Sequence, residues 1–290
     1  MSQFDTELRQ EQGVEAPSPV CWPQWAEDAR LDDALAAAAY EATPAHLRAA
    51  VKTGLALAHM HFGESTASQR SEVRNTHLGF WRRAISHPAP WAVIAFTPAY
   101  AAAARLAAAC IPALLGGVPL VGAVCVGGAP AGNALVTLEL TGVEDIFVMD
   151  SAGLCTLLEE TQPGPGRLVL LHRGELDGVA GAARALELPC YEERRSPVLC
   201  LPKPEAFDLE TLAFAQAEAL DAALDTSLRL TPDATYLAPV AALGHCRERR
   251  TGPFPYSGAP AFTPGCEGFW LHPGLTPDFF RVQRQAFGLL

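Results

Sequence analysis

The feature that most constrains this chain is a run of short apolar segments that alternate with helical segments between residues 91 and 201. Short apolar runs of this kind are typical of parallel strands covered on both faces, and helix-length intervals are typical of the crossovers between them. The predicted strands are 91–96, 118–126, 145–149, 167–172 and 198–201, and the predicted helices are 100–115, 133–141, 151–160, 177–186 and 208–225. The alternation predicts an α/β fold with a parallel sheet covered by helices on both faces.

The flanking regions follow other patterns. Residues 1–25 are polar and Pro-containing, which predicts a mobile arm, and residues 25–81 are helical in character. A helix is expected over 45–62, with Thr43 as N-cap and Pro44 at its first position. The Pro- and Gly-rich end predicts an irregular tail packed on the domain, with one last helix over 277–287. We therefore divide the chain into an arm and helices (1–88), an α/β domain (89–230) and a C-terminal segment (231–290).

Composition excludes several functional classes. A formal charge of −11 and the lack of a basic run argue against a nucleic-acid-binding protein, because such binding requires Lys and Arg to neutralise phosphates. Residues 106–138 carry no charge, but prolines and glycines divide them into pieces too short to span a membrane. The polar N-terminus does not look like a signal peptide, and the eight cysteines form no C-x-x-C pair. These features predict a cytoplasmic protein with reduced core thiols.

One segment points to a family. Residues 196–219 predict a short strand, a Pro-rich turn and a helix that opens near Asp208 and ends Gln216-Ala-Glu-Ala219. The segment resembles histidinol dehydrogenases, in which a strand opening Ser-Glu-Val-Leu is followed by a helix ending Gln-Ala-Glu-His. In that family the Gln and His of the motif hold a catalytic zinc. The matching His position is Ala219 here, so the resemblance implies the scaffold without one of the zinc ligands.

Further patches match the family in the same order along the chain. They are Leu138–Phe147, the Gly-Pro-Gly turn at 163–166 and Gly274–Phe280. The resemblance implies the Rossmann-like fold shared by histidinol and aldehyde dehydrogenases, a nicotinamide cofactor (NAD) and a homodimer. Against this, the Pro-Glu-His-Leu run that supplies the family's general base pair is missing, and the family's Gly-Pro-Gly-Asn turn ends in Arg167 here.

The candidate metal and substrate residues come from the same resemblance. Ser196 and Gln216 are the candidate substrate-binding residues, and Gln216 is also the candidate metal ligand. Catalytic zinc requires three protein ligands, so a single amide oxygen does not favour zinc. A buried amide bonded to a neighbouring backbone group is the simpler interpretation of Gln216. His272 and the His245-Cys246 pair are the other residues that could reach a metal, from the tail.

Four glycines are the candidate cofactor residues. Gly127 and Gly128 follow a predicted strand and precede a predicted helix, where backbone amides can approach a pyrophosphate. The segment lacks a full G-x-G-x-x-G pattern, and a tight turn alone would also explain it. Gly164 and Gly166 belong to the family-like turn. Asp150-Ser151 follows another strand, and we interpret it as a helix N-cap rather than as a nucleophile elbow.

These features support two functions. The first is a histidinol dehydrogenase-like pseudoenzyme that has lost zinc-dependent dehydrogenase activity and binds a small molecule or serves a structural role. The alternative is an active NAD-dependent oxidoreductase acting on an amino alcohol or aldehyde with altered site residues. The sequence leaves open which is right, and therefore whether the protein is an enzyme. Both interpretations expect a small-molecule ligand and a homodimer, without nucleic acid or membrane.

Overall fold

A sheet of five parallel strands forms the centre of the protein. The structure is a computed structural model. It describes residues 20–63, 68–161, 164, 166–197, 199–201, 203–217, 219–220, 235–237 and 261–290. The described helices are α1 (Asp33–Ala42), α2 (Ala45–Phe62), α3 (Ala103–Leu115), α4 (Gly132–Thr141), α5 (Ser151–Glu160), α6 (Asp177–Ala185) and α7 (Leu209–Gln216). The described strands are β1 (Gln69–Asn75), β2 (Phe80–Pro88), β3 (Ala92–Phe96), β4 (Val121–Val126), β5 (Asp145–Met149), β6 (Arg167–Leu171), β7 (Cys190–Glu193), β8 (Leu199–Cys200), β9 (Thr235–Leu237), β10 (Ala261–Phe262) and β11 (Arg281–Leu289).

The parallel sheet has the strand order β5-β4-β3-β6-β7. All four pairings are parallel, which confirms the predicted Rossmann-like α/β fold. Edge strand β7 was missed in the sequence, because its residues Cys-Tyr-Glu-Glu are half-buried and carry two carboxylates. An apolar run is the signal of a central strand, and an edge strand does not need one.

Helices cover both faces of this sheet. On one face α3 and α4 pack against the side chains of Ile94, Phe96 and Ala123 in one apolar cluster. On the other, α5 and α6 pack against Val93 and Ala95 in a second cluster. Successive residues of a strand point to opposite faces, so a strand buried on both faces is apolar at every position. All five residues of β3 are fully buried in this way.

The N-terminal helices agree with the sequence except at their boundary. Helix α2 covers the predicted residues, but Thr43 ends α1 and its hydroxyl donates to the carbonyl of Ala39 at 2.7 Å. Pro44 is the N-cap of α2 and makes no side-chain capping bond. The predicted Thr43 cap was therefore wrong, because Pro44 keeps Thr43 extended and the threonine is used to finish the preceding helix.

The main correction to the predicted fold is a second, antiparallel sheet with the order β1-β2-β11. Its first two strands, 69–75 and 80–88, begin within the region 25–81 that was expected to be helical, and its third strand, 281–289, replaces most of the last helix expected over 277–287. The final helical segment is a short 3-10 turn, Pro277–Phe280. The pairing partner of β11 lies almost 200 residues earlier in the chain, so no local pattern announces the strand.

Helix α7 also differs from the sequence-based expectation. It begins after Asp208, whose side chain caps the amides of Glu210 and Thr211. It ends at Gln216, and Ala217 has a positive φ of 41°, so the long helix predicted over 208–225 is interrupted. Residues 221–225, the arm over 1–19 and most of the tail over 231–260 lie outside the described residues. None of the described helices is long and apolar enough to cross a bilayer.

Candidate functional site

The candidate site lies where the chain leaves the carboxyl ends of β3 and β6. The strand order reverses between these two strands, since β4 and β5 lie beside β3 while β7 lies beside β6. Loops that leave such a pair run apart, and ligands of open α/β sheets bind in the resulting crevice. Thr97 follows β3 and His172 follows β6, and both are buried.

Four polar side chains at this edge form one buried network. Glu193 ends β7 and accepts hydrogen bonds at Oε1 from the Tyr100 hydroxyl at 2.9 Å and from Nη1 of Arg105 at 3.0 Å. Its Oε2 lies 3.0 Å from Nδ1 of His272. The network therefore ties together the loop after β3, helix α3, the end of β7 and the C-terminal segment.

His272 lies between two hydrogen-bond acceptors. Its Nε2 lies 2.8 Å from the carbonyl oxygen of Arg105, and its Nδ1 faces the carboxylate of Glu193. A ring nitrogen donates to either neighbour when it carries a proton. The Arg105 guanidinium and the His272 ring thus share one carboxylate in a region where both side chains are only 1% exposed.

Opposing effects act on the Glu193 carboxyl group. Burial alone would raise its pKa, since desolvation disfavours the charged form. The hydrogen bond and positive charge of His272, the charge of Arg105 and the hydrogen bond of Tyr100 outweigh burial, and the pKa of Glu193 lies below its ordinary value. Glu193 is therefore an ionised structural partner at neutral pH and is poorly suited to serve as a general base.

A second cluster of polar groups lies next to the network. His172, Asp177 and Glu192 bring possible metal-ligand atoms within 4.8 Å of one another. However, Nδ1 of His172 accepts the backbone N–H groups of Gly174 and Leu176 at 2.9 and 3.2 Å. The proton of the neutral ring must then reside on Nε2, which faces Oε1 of Glu192 at 3.2 Å. Both ring nitrogens are occupied by protein groups.

Arg194 occupies the carboxylates of the same cluster. Its guanidinium lies 2.5 Å from Asp177 and 3.2 Å from Glu192. A cation would have to displace this arginine as well as break the hydrogen bonds of His172. The arrangement fits a cluster that holds the loop after β6 in place, and it does not fit a metal centre.

The Gly127-Gly128 turn lies at the same edge of the sheet, after β4. Gly127 has a φ of +94°, which only glycine adopts without strain, and its N–H donates to the carbonyl of Met149 at 2.9 Å. Helix α4 starts just beyond, where Ala131 provides no side-chain cap and Gly132 is exposed. Among the first amides of α4, that of Ala134 donates to the carbonyl of Ala131 at 3.0 Å, so those of Gly132 and Asn133 are the ones that an anion could use.

The other two predicted cofactor glycines lie elsewhere. Gly164 and Gly166 precede β6 and therefore lie at the amino edge of the sheet. The length of β6, at about 3.3 Å per residue, separates them from the carboxyl edge. A Cβ atom on Gly166 would lie 2.2 Å from the ring of Trp91, so this glycine makes room for a core tryptophan. The structure therefore does not bring the four glycines together into one cofactor site.

The two predicted substrate residues also have separate roles. Ser196 is half-buried at the carboxyl edge, where its Oγ accepts a hydrogen bond from Arg173 at 3.0 Å. Gln216 is 2% exposed at the end of α7, and its Oε1 has no hydrogen-bond donor among the described residues. The expected bond from a neighbouring backbone group to this oxygen is thus not found there.

The residues around Gln216 do not fit a catalytic zinc. Its buried Oε1 could act as one ligand, but zinc sites of this type need three. Ala219 is 1% exposed and packs with Leu212 and Trp270 in an apolar cluster, which offers no ligand at the position of the family's histidine. His272 is already bound on both nitrogens, and His245-Cys246 lies outside the described residues.

Sequence reasoning missed the central network except for His272, which it considered as a metal ligand. Two signals were present. Arg105 is the one charged residue in the otherwise apolar sequence of α3, and Glu192-Glu193 ends a strand beside the crevice. Of Asp150 and Ser151, the two residues interpreted as a possible N-cap, the structure uses Asp150, whose side chain accepts a hydrogen bond from the amide of Gly153 at 2.7 Å.

A cavity of about 390 Å³ lies away from this edge, between α1, α4 and the start of β5. Its charged lining consists of Arg30, Asp33, Glu139 and Glu144. The cavity is at the amino end of β5, whereas the candidate site is at the carboxyl ends of the strands. The two are therefore separate features of the molecule.

No protein-family model matches the chain, and no curated protein matches it either. Among solved structures, it is similar to histidinol dehydrogenase from Elizabethkingia anophelis, with 11% identity over 91% of this chain and 77% of that one and a TM-score of 0.57. Methylmalonate-semialdehyde dehydrogenase from Oceanimonas doudoroffii has 15% identity, with 78% of this chain and 54% of that one covered, at a TM-score of 0.37. At such identities the similarity establishes a dehydrogenase-like α/β fold alone.

Proposed function

We propose that the protein is a dehydrogenase-like pseudoenzyme that binds a small anionic molecule at the carboxyl edge of its parallel sheet and does not carry out zinc-dependent oxidation. The observation that carries the proposal is the buried network beside the crevice. Glu193, Arg105 and His272 bind one another at 2.8–3.0 Å, so the residues with suitable chemistry are already used to hold the fold.

Two observations on the described residues support the proposal that the protein carries out no zinc-dependent oxidation. Hydride transfer by a zinc-dependent dehydrogenase requires a metal with an open coordination position and a base near the reacting atom. The methyl group of Ala219 is buried among apolar side chains, and the pKa of Glu193 is held below its ordinary value by His272, Arg105 and Tyr100. Neither residue can supply that chemistry.

The capacity to bind an anion rests on the start of α4. The positive end of the helix dipole and the uncapped amides after Gly127-Gly128 favour a phosphate or carboxylate. A nicotinamide dinucleotide would fit by placing its pyrophosphate there, with the protein supplying backbone N–H donors. NAD would contribute hydride-transfer chemistry if it were bound next to an oxidisable substrate.

A thermal-shift experiment tests the proposal, because a ligand that binds only the native state raises the melting temperature. We expect NAD, NADH or another phosphate-bearing nucleotide to stabilise the wild-type protein, and Zn²⁺ to leave it unchanged. The variant Gly132→Asp places a carboxylate at the start of α4 and should abolish the shift. Gly181→Asp is the matched control, since Gly181 is exposed on α6 and a Cβ atom added to it would meet nothing within 4 Å.

Two outcomes would contradict the proposal. Formation of NADH from NAD and an amino alcohol or aldehyde would favour the alternative, an active NAD-dependent oxidoreductase with altered site residues. Equal stabilisation of Gly132→Asp and wild type would mean that the ligand binds away from α4.

A further inference from the structure

The loop that leaves the carboxyl end of β6 is held by the side chain of one buried histidine. The His172 ring is fully buried, and its Nδ1 accepts the backbone N–H groups of Gly174 at 2.9 Å and of Leu176 at 3.2 Å. A backbone N–H group is always a donor, so Nδ1 carries no proton in this conformation. Residues 173–176, which we call the β6 loop, are therefore folded around an uncharged ring.

The charged groups around the ring are suited to a charged ring as well. Glu192 Oε1 lies 3.2 Å from Nε2, and Asp177 Oδ1 lies 3.9 Å from Nδ1. Arg194 lies between the same two carboxylates, so these three side chains have a formal charge of −1. The charged residues of the β6 loop itself, Arg173 and Glu175, cancel in this count. A proton on the ring would bring the cluster to zero charge, which favours its uptake.

A proton on Nδ1 is incompatible with the observed position of the β6 loop. It would point at the N–H groups of Gly174 and Leu176 and would leave both of them without an acceptor. Leu176 is buried, and a buried N–H group without a partner costs free energy. The ring can keep this proton only if the loop moves away, and the carboxylate of Asp177 can then accept it.

We propose that His172 is a pH-sensitive latch for the β6 loop. At neutral pH the uncharged ring accepts the two loop amides and keeps the loop closed. In acid the ring takes up a proton from solvent, releases the two amides, and binds Glu192 through Nε2 and Asp177 through Nδ1. Imidazole is the side chain whose ordinary change of charge falls between pH 5 and 8, and here each charge state has its own set of partners.

The second buried histidine of the described chain has a different setting. The ring of His272 faces two acceptors, the carbonyl oxygen of Arg105 and the carboxylate of Glu193. A proton on either ring nitrogen satisfies these neighbours and breaks no bond. The conflict between a ring proton and the backbone is therefore a property of His172.

The latch acts on one side of the crevice. Arg173 belongs to the β6 loop, and its guanidinium donates to Oγ of Ser196, which follows β7, at 3.0 Å. Opening of the loop would break this bond between the segments that leave β6 and β7. If the crevice binds an anion, its affinity should then depend on the state of the latch. Only this consequence rests on the proposed function.

Hydrogen exchange of single backbone amides tests the latch, measured by NMR without ligand and corrected for the intrinsic exchange rate. An exposed imidazole takes up a proton below about pH 6.5, and an opening that binds one proton then becomes about tenfold easier per pH unit. The protection of the Gly174 and Leu176 amides should thus fall by about 30-fold from about pH 7.5 to about pH 5. The His172 ring signals should change over the same range. The Thr161 amide, which donates to the Leu157 carbonyl at 3.0 Å, is the reference and should stay protected.

Three variants separate the parts of the latch. His172→Asn keeps an acceptor for the two amides that takes up no proton, so their protection should not depend on pH. Asp177→Asn removes the acceptor of the charged ring, and its loop should open at a lower pH than that of wild type. His46→Asn is the matched control, because the His46 side chain is 49% exposed on α2, and it should behave as wild type.

The wild-type profile is informative even if His172→Asn does not fold, which circular dichroism would show. Level protection of the Gly174 and Leu176 amides over this pH range would overturn the proposal. An equal fall in His172→Asn would also overturn it, because acid would then open the loop through another group. An unchanged opening pH in Asp177→Asn would contradict the partner assigned to the charged ring. Because no ligand is present, failure of the latch is distinct from failure of anion binding at α4.

Discussion

Glu193 is the residue on which the buried charges beside the crevice depend. It is the shared acceptor for Tyr100, Arg105 and His272, and its side chain is only 11% exposed. Without its negative charge, the buried guanidinium of Arg105 would lose the carboxylate of Glu193 in a desolvated region. Breaking a buried pair by removing one partner leaves an uncompensated charge, which is usually more costly than the net stabilisation from the intact pair.

The variant Glu193→Gln should therefore lose about 3–5 kcal/mol of unfolding free energy at pH 7. The pH dependence is a second readout. Because the folded pKa of Glu193 is below its unfolded value, its stabilisation is present above the unfolded pKa and is lost as the pH falls through the folded pKa. Denaturant unfolding between pH 7 and 3 should show a smaller acid loss for the variant than for wild type. An equally steep loss in both would mean that other carboxylates control acid stability.

At the scale of helices and strands, α2 and the C-terminal segment approach each other so closely that each must have a glycine at the point of contact. A Cβ atom on Gly54 would lie 1.9 Å from the carbonyl oxygen of Gly268, and one on Gly268 would lie 2.1 Å from that of Ala50. Both obstacles are backbone atoms, which cannot rotate away. Backbone contact at this point joins α2 to the C-terminal segment that carries His272.

Gly54→Ala should thus destabilise the protein by about 1–3 kcal/mol, since the clash outweighs the better helix propensity of alanine. Gly181→Ala on α6 is the matched substitution, because a Cβ there meets nothing within 4 Å. It should stabilise the protein by about 0.5–1 kcal/mol. Chemical denaturation of the two variants beside wild type gives the comparison. The same sign for both would contradict the close approach of α2 and the C-terminal segment.

For the molecule as a whole, the core on the α3–α4 face of the parallel sheet excludes water from two thiols. Cys110 on α3 and Cys125 on β4 are fully buried, and desolvation raises the pKa of each to about 12. The thiolate is the reactive form. Cys21, by contrast, is exposed.

Alkylation of the native protein should therefore modify Cys21 within minutes and leave Cys110 and Cys125 protected until global unfolding. Peptide mass spectrometry after timed labelling, with and without denaturant, measures all three sites in one sample. Rapid labelling of Cys110 in the native state would indicate that the α3 side of the core opens far more easily than its packing implies.

The sequence by itself determined the parallel α/β core, because strands buried on both faces must be apolar at every position and glycines and prolines must separate them from their helices. Strands β3 to β6 and helices α3 to α6 were predicted on this basis, and α2 was predicted from local signals at its start. These features depend on neighbouring residues, and a local pattern therefore contains the necessary information.

Only the tertiary structure decided which distant residues meet. The partners of Glu193 come from positions 100, 105 and 272, and β11 pairs with a strand almost 200 residues away. It also separated Gly127 and Gly128 from Gly164 and Gly166, at opposite edges of one sheet. Long-range contacts depend on how the helices and strands pack, and a polar residue has the same local pattern whether it lies on the surface or in a buried network.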